Sequence, residues 1–246
     1  MNILDETAHR PWPLPPGPWL MRQTWKDLLF AHWPVDRAAL RPLVPAPFQI
    51  DLFDGQAWVG VVPFSMTDVA PRLVPPLPWV SAFPELNVRT YVTVDDKPGV
   101  YFFSLDAGNA VAVGAARTLL NLPYHSAHMS SEIRDGEVHY RCRRGGARPA
   151  EFEAVYHGME DRYPPMPRTL EHFLTERYCL YALNHRSIAY RLEIHHLPWA
   201  LESAQATIVK NTMTDAAGIR LPPMAPMLHF SKCQEMVCWG PEVLGA

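Results

Sequence analysis

Proline is the feature that most limits how this chain can fold, because 26 of its 246 residues are proline. They cluster in PWPLPPGPW near the start, in VPPLPW around residue 77, in YPPMP at 163–167 and in LPPMAPM at 221–227. Proline fixes its own φ angle and cannot donate a hydrogen bond to a sheet ladder. The clusters therefore predict connections, with short strands in the apolar segments between them.

These apolar segments are rich in the β-branched and aromatic residues that strands favour. They are residues 57–66, 85–94, 99–107, 137–144, 152–157, 187–196 and 204–210. Turn sequences separate several of them, at Asp54-Gly55, at 96–99 and at Asp135-Gly136. Because tight turns of this kind join antiparallel neighbours, the sequence predicts an antiparallel sandwich or barrel.

Helices are predicted at three places. Asp36 is placed to cap a short helix over 37–44, which Pro45 stops. Residues 109–121 (NAVAVGAARTLLN) are so small and apolar that we predict a helix buried on all sides, capped by Asn109. A third helix is predicted at 168–178. The predicted fold class is α+β, mainly antiparallel β.

Composition narrows the classes of partner. The formal net charge is −3, and the Lys and Arg residues are scattered rather than clustered. Nucleic acid is therefore not an expected partner. No apolar run reaches the roughly 18 residues of a membrane span, so no membrane partner is expected. Without a linker or repeat, residues 1–246 are predicted to be a single domain, with an extended proline-rich N-terminal segment (1–22) followed by a barrel (23–240).

Cysteine usage and the first residues bear on location. The first twelve residues contain acidic Asp5 and Glu6 and have no apolar core, which argues against a secretory signal. The cysteines are Cys142, Cys179, Cys233 and Cys238, and none forms a C-x-x-C pair. Four such cysteines in a chain of this length suit reduced thiols. A cytoplasmic location is expected.

One predicted strand has a polar face. Glu85, Asn87, Arg89 and Tyr91 alternate with Leu86, Val88 and Thr90, so the two sets point to opposite sides. The polar set faces either water or the lumen of a closed barrel. At about 3.3 Å per residue, Glu85 and Arg89 lie roughly 13 Å apart along the strand and cannot pair with each other.

Arg117 is the single charge on the predicted apolar helix, and a buried guanidinium needs a partner. Two explanations stay open. Arg117 forms a structural pair with Asp106 or Glu85, or it is a cation that awaits a ligand carboxylate.

Metal and nucleotide motifs are absent from the sequence. His125 and His128 have H-x-x-H spacing, but in a strand their rings would face opposite sides, and His195-His196 has the same defect. No G-x-S-x-G, P-loop or G-x-G-x-x-G sequence occurs. No metal and no cofactor are predicted.

Several segments together resemble a known family. They are DRAALRPLVPAPFQIDLFDGQAWVGVVPF, ELNVRTYV, GVYFFSLDAGNAVAVGAARTLLNLPY and FLTERY. Between about Trp25 and Ser231 the chain resembles the uncharacterised YqjF-like family, which is more distantly similar to acetoacetate decarboxylase. The resemblance implies an acetoacetate-decarboxylase-like conical antiparallel β barrel with a few helices and one enclosed pocket. It also implies association into a homo-oligomer.

The same resemblance bears on chemistry. The decarboxylase forms a Schiff base through one of two adjacent lysines, and these positions correspond to Tyr124 and His125. Neither side chain forms an iminium, so acetoacetate decarboxylase activity is not expected. Glu85 matches a pocket carboxylate, Arg117 matches a helix arginine, and an arginine near the N-terminus falls at about Lys26.

Three functions follow from these observations. The first is a protein that binds a small-molecule ligand through Lys26, Glu85, Arg89, Arg117 and Tyr124. Its expected pocket is enriched in aromatic residues, namely Trp58, Tyr91, Phe103 and Tyr124. The second is a lysine-independent enzyme for enolisation, dehydration or hydrolysis, with Glu85 as acid or base and Tyr124 or His125 as hydrogen-bond donor. The third is an interaction domain whose interior is filled.

Overall fold

The computed structural model describes residues 2–77 and 81–245, with the side chains of 112, 115, 116 and 119 left out. The strands are β1 (Met21–Val35), β2 (Gln49–Ile50), β3 (Ala57–Pro71), β4 (Phe83–Val94), β5 (Lys97–Ala107), β6 (Tyr124–Arg134), β7 (Glu137–Arg144), β8 (Ala150–Gly158), β9 (Cys179–Leu183), β10 (Ala189–His196), β11 (Glu202–Asn211), β12 (Met227–Cys238) and β13 (Glu242–Val243). The α-helices are α1 (Arg37–Leu40), α2 (Ala110–Leu120), α3 (Leu170–Thr175) and α4 (Met213–Ala216). Within the described ranges, no helix is long and apolar enough to cross a membrane.

The strands form one sheet that curls into closed rings. Their order is β13-β10-β9-β5-β6-β7-β8-β11-β12-β1-β3-β4-β2, with further pairings β10–β12 and β5–β4. These two pairings close a ring of seven strands, β1-β3-β4-β5-β9-β10-β12, which we call the cavity ring. The β5–β4 pairing also closes a larger ring, which runs through β6, β7, β8 and β11 and which we call the core ring. The two rings share β1, β3, β4, β5 and β12.

The shared strands are buried on both faces over part of their length, as at residues 28–31 of β1 and 59–64 of β3, and this explains their long apolar runs. On β4, Leu86 and Val88 join the largest hydrophobic cluster, in the core ring, with Tyr140 and Phe152. The residues that alternate with them point into the cavity ring. The predicted alternation of 85–91 is therefore confirmed, and its polar face lines an interior space.

Most predicted strands form, but the pairing is mixed. β5 pairs in parallel with both β6 and β9, whereas the sequence predicted antiparallel neighbours. The reason is that α2 carries the chain from β5 back to the start of β6, as a crossover does. The turn predicted at 96–99 lies at Asp95-Asp96, which have positive φ angles of 49° and 58°. Asp135-Gly136 forms the predicted turn between β6 and β7.

Gly99 lies inside β5, where a neighbouring strand approaches closely. A Cβ atom at Gly99 would lie 2.7 Å from the Cys179 sulfur and 2.8 Å from the Cys179 carbonyl oxygen. Glycine is therefore required for β9 to pair at this point, and β9 in turn places Cys179 on the wall of the cavity ring.

The helices form at the predicted places with different environments. α2 is not buried on all sides, because Val111 is 68% exposed while Val113 is buried. Arg117 is exposed, so the prediction of a buried guanidinium is wrong. Its supposed partners are bound elsewhere, Asp106 by Arg144 and Glu85 by Tyr124.

The N-terminal segment lies against β10. Arg10 is buried and donates hydrogen bonds to the Ile194 carbonyl (2.6 Å) and to the Glu193 carboxylate (3.2 Å). Trp12 donates to the same carboxylate at 2.8 Å. β1 then begins at Met21, two residues before the predicted boundary. These buried contacts attach the proline-rich segment to the outside of the cavity ring.

Candidate functional site

The cavity ring encloses a space of about 150 Å³. Its wall is mainly apolar and includes Trp25, Phe64, Phe102 and Trp199. The polar groups on the wall are Gln23, Glu85, Asn87, Arg89, Tyr124, Thr175, Arg177 and His196. An apolar cavity with a few convergent polar groups is the usual form of a small-molecule site.

Glu85 and Tyr124 meet across β5. Glu85 pairs with Ala107 of β5 on one side, and Tyr124 pairs with Leu105 of β5 on the other. The Tyr124 hydroxyl donates a 3.0 Å hydrogen bond to Oε2 of Glu85. From the core ring, Tyr140 donates to the backbone carbonyl of Glu85 at 2.6 Å. The carboxyl group is therefore held at a fixed position in the cavity wall.

Burial changes the ionisation of this pair. Burial raises the pKa of Glu85 to about 8, against the opposing effect of the Tyr124 hydrogen bond, and Asp106 raises it further. Burial also raises the pKa of Tyr124 well above its ordinary value. Near neutral pH Glu85 is therefore mostly a neutral carboxylic acid, able to give or take a proton.

Asn87 and Arg89 continue the polar face of β4. Among the described residues, Oδ1 of Asn87 and Nε of Arg89 have no hydrogen-bond partner, although both atoms are buried. Nη2 of Arg89 donates to the Leu174 carbonyl at 3.1 Å. The guanidinium carbon of Arg89 lies 5.2 Å from the Phe30 ring centre and 5.7 Å from that of Tyr91.

Residues just after α3 and around the end of β10 line the cavity, although the sequence did not indicate them. Arg177 donates to the Phe173 carbonyl at 2.6 Å and forms a 2.7 Å ion pair with Asp51. His196 is fully buried, which lowers its pKa to about 4 and keeps it neutral. Trp199 donates to the Thr175 carbonyl at 2.9 Å. FLTERY was noted for its resemblance and as part of the predicted helix 168–178, and neither observation marks Arg177 as a cavity residue.

Two side chains line the cavity and a second, neighbouring depression. They are Phe102 and Leu122, and the second depression is also lined by Tyr101 and Tyr181.

Three predicted site residues lie outside the cavity. Lys26 is exposed, because it follows Trp25 on β1 and successive strand residues point to opposite sides. His125 follows Tyr124 in the same way, and Arg117 lies on the exposed part of α2. None of these three is among the described residues that line the cavity, whereas Glu85, Arg89 and Tyr124 line it.

Other expectations for the wall also change. Trp58, Tyr91 and Phe103, which the sequence placed around the pocket, do not line it. Arg89 is the remaining predicted residue that does. No lysine is among the described residues of the wall.

His125 is half-buried and lies beside a buried ion pair of the core ring. It pairs in register with Asp106, whose carboxylate lies 3.1 Å from Nε of Arg144. Burial raises the pKa of Asp106 to about 6, although Arg144 opposes this. Burial lowers the pKa of His125 to about 4, and the charge of Arg144 lowers it further. No sequence pattern indicates the Asp106–Arg144 pair, because its two members are far apart along the chain.

A metal site needs several histidine, cysteine or carboxylate side chains close together. Within residues 2–77 and 81–245, no three of them lie close enough together to hold a metal ion. The four cysteines are free thiols, with Cys233 exposed and the other three buried.

The ring architecture places the chain in the class of acetoacetate-decarboxylase-like folds. It is similar to acetoacetate decarboxylase from Legionella pneumophila, with a TM-score of 0.65 and 10% identity over 99% of this chain and 95% of that chain. It is also similar to the enduracididine biosynthesis enzyme MppR complexed with pyruvate, with a TM-score of 0.63 and 12% identity over 97% and 95%. At these identities the likeness shows the fold alone.

Sequence comparison gives the family. The DUF2071 family, described as an uncharacterized conserved protein, matches residues 22–235, and this chain belongs to it. The chain is 47% identical to the uncharacterized protein YqjF of Bacillus subtilis (strain 168) over 226 residues, which are 92% of this chain and 93% of the relative. The resemblance inferred from the sequence motifs is confirmed.

Proposed function

We propose that this protein binds a small organic molecule inside the cavity ring and does not carry out Schiff-base decarboxylation. The observation that carries the proposal is the Glu85–Tyr124 pair, held in a mainly apolar cavity of about 150 Å³. A cavity of about this size admits a ligand comparable to benzene. The buried, unpaired Oδ1 of Asn87 adds a further polar group that a ligand would satisfy.

The absence of lysine from the described wall supports the second half of the proposal. Schiff-base chemistry needs an amine nucleophile, and Tyr124 occupies the position that resemblance assigns to it. Lys26 is exposed, and Lys97 lies outside the wall, 3.6 Å from Glu193. Borohydride treatment in the presence of a ketone should therefore trap no adduct, and a trapped adduct would overturn this part.

The first test is native mass spectrometry of purified protein, followed by thermal shift with short-chain acids, amides, alcohols and ketones. A ligand at a hundred times its Kd stabilises a protein by about 2.7 kcal/mol, so a bound compound raises Tm measurably. If no compound shifts Tm and no ligand is carried through purification, the binding proposal fails.

The cysteines provide a second readout of the same site. Cys179 and Cys238 line the cavity, Cys142 is buried in the core ring, and Cys233 is exposed. With methyl methanethiosulfonate, a ligand should slow modification of Cys179 and Cys238 and leave Cys142 and Cys233 unchanged. Uniform slowing of all four thiols would indicate general stabilisation and argue against occupancy of the cavity.

A lysine-independent enzyme is the second candidate, favoured by one observation. Glu85 has its pKa raised to about 8 and is positioned by Tyr124, which suits a group that exchanges protons with a substrate near neutral pH. Enolisation can be tested by deuterium exchange into butanone in D2O, followed by NMR. Exchange that requires Glu85, and is lost in Glu85→Gln, supports the enzyme, whereas no exchange above the buffer rate removes this reaction.

A further inference from the structure

We propose that the ligand of this cavity is a small carboxylic acid whose carboxylate binds Arg89, an inference that rests on the binding function proposed above. The charges on the wall are the starting point. Among the described wall residues, Arg89 and Arg177 are the charged groups near neutral pH, because Glu85 is mostly a neutral acid there and His196 is buried and neutral. The two arginines have different partners.

Arg177 is already neutralised. Its guanidinium forms an ion pair with Asp51 at 2.7 Å and donates to the Phe173 carbonyl. It therefore has no charge left for a ligand to balance.

Arg89 has no such partner. Within the described ranges, it forms no ion pair with any carboxylate. It donates to the Leu174 carbonyl, forms a hydrogen bond with the Tyr91 side chain and lies near the rings of Phe30 and Tyr91. Glu85 cannot neutralise it, because four strand residues place their Cα atoms roughly 13 Å apart. A cation on an apolar wall without a counter-charge favours an anionic ligand, and a guanidinium binds carboxylates through paired hydrogen bonds.

The size of the cavity limits the acid. A space of about 150 Å³ accepts a body comparable to benzene, so we expect about six to nine non-hydrogen atoms, as in hexanoate or benzoate. With its carboxylate at Arg89, such a molecule extends along β4 past Asn87 toward Tyr124. Its apolar body then lies against the apolar part of the wall.

The test compares acids with neutral molecules of the same shape. Hexanoate and benzoate are titrated against hexanamide and benzamide by calorimetry at pH 7. In each pair, the acid can form one charge-assisted hydrogen bond with Arg89 that the amide cannot form. The acids should therefore bind about tenfold more tightly or better. In Arg89→Gln this ratio should fall to about one, whereas Arg89→Lys should keep part of it. Arg22→Gln, which removes an exposed charge from β1, should leave the ratio unchanged.

The outcomes are distinguishable. If amides bind as tightly as acids, or if Arg89→Gln keeps the full ratio, the carboxylate inference is wrong while the binding function stands. If neither acids, amides nor alcohols bind, the binding function itself fails. Because the ratio is measured first in the unsubstituted protein, a variant that does not fold leaves the test intact.

Discussion

The ionisation of Glu85 makes a strong prediction about stability. Its pKa is raised from an ordinary 4.5 to about 8 by burial, so the folded protein holds this proton over a range in which the unfolded chain has lost it. The contribution of Glu85 to the free energy of unfolding is therefore full below pH 4.5 and is lost as pH rises to 8. The difference of the two pKa values sets an upper limit of about 5 kcal/mol on this loss.

In Glu85→Gln the side chain at position 85 is neutral at every pH. The free energy of unfolding of this variant, relative to that of the original protein, should therefore increase from pH 5 to pH 9. Since water and side-chain rearrangement reduce the upper limit, we expect a gain of about 2 kcal/mol or more. Urea unfolding at several pH values measures it. Asp106, with its pKa raised to about 6, titrates in both proteins. Glu235→Gln, on the exposed side of β12, is the control. A difference that stays constant with pH would refute the reasoning.

Two further predictions concern buried arginines. Arg144→Met leaves the Asp106 carboxylate buried without its counter-charge and should lower the free energy of unfolding by about 3–5 kcal/mol. Arg141→Met, on the exposed face of the same strand, should lower the free energy of unfolding by less than about 1 kcal/mol. Equal losses for the two variants in urea unfolding would contradict the Asp106–Arg144 pair. Arg10→Ala removes the contacts to Glu193 and β10, so limited proteolysis should cut the N-terminal segment faster, while an unchanged rate would contradict its attachment.

Local patterns were predictable from sequence. The alternation along 85–91 depends only on the two-residue period of a strand, and it correctly separated Glu85 and Arg89 from Leu86 and Val88. The Asp135-Gly136 turn was predictable because it is also local: two adjacent residues with positive φ angles suffice for it.

Contacts that depend on distant segments were not predictable. The small side chains of α2 suit a buried or an exposed helix, and its environment is decided by which strands it packs against. Arg177 and Trp199 reach the cavity because β9 and β10 complete the cavity ring, a pairing that no local signal encodes. Strand β12 was missed because Ser231, Lys232 and Gln234 interrupt its apolar run.

The position of β12 has a consequence for biosynthesis. Both rings close through β12, which pairs with β1, β10 and β11 although it follows all of them along the chain. While residues 227–238 are still being translated, one edge of β1 has no neighbour, and Trp25 and Leu28 have no enclosed cavity to line. Emerging chains therefore present an open, partly apolar edge to solvent or to a chaperone until synthesis has passed this strand.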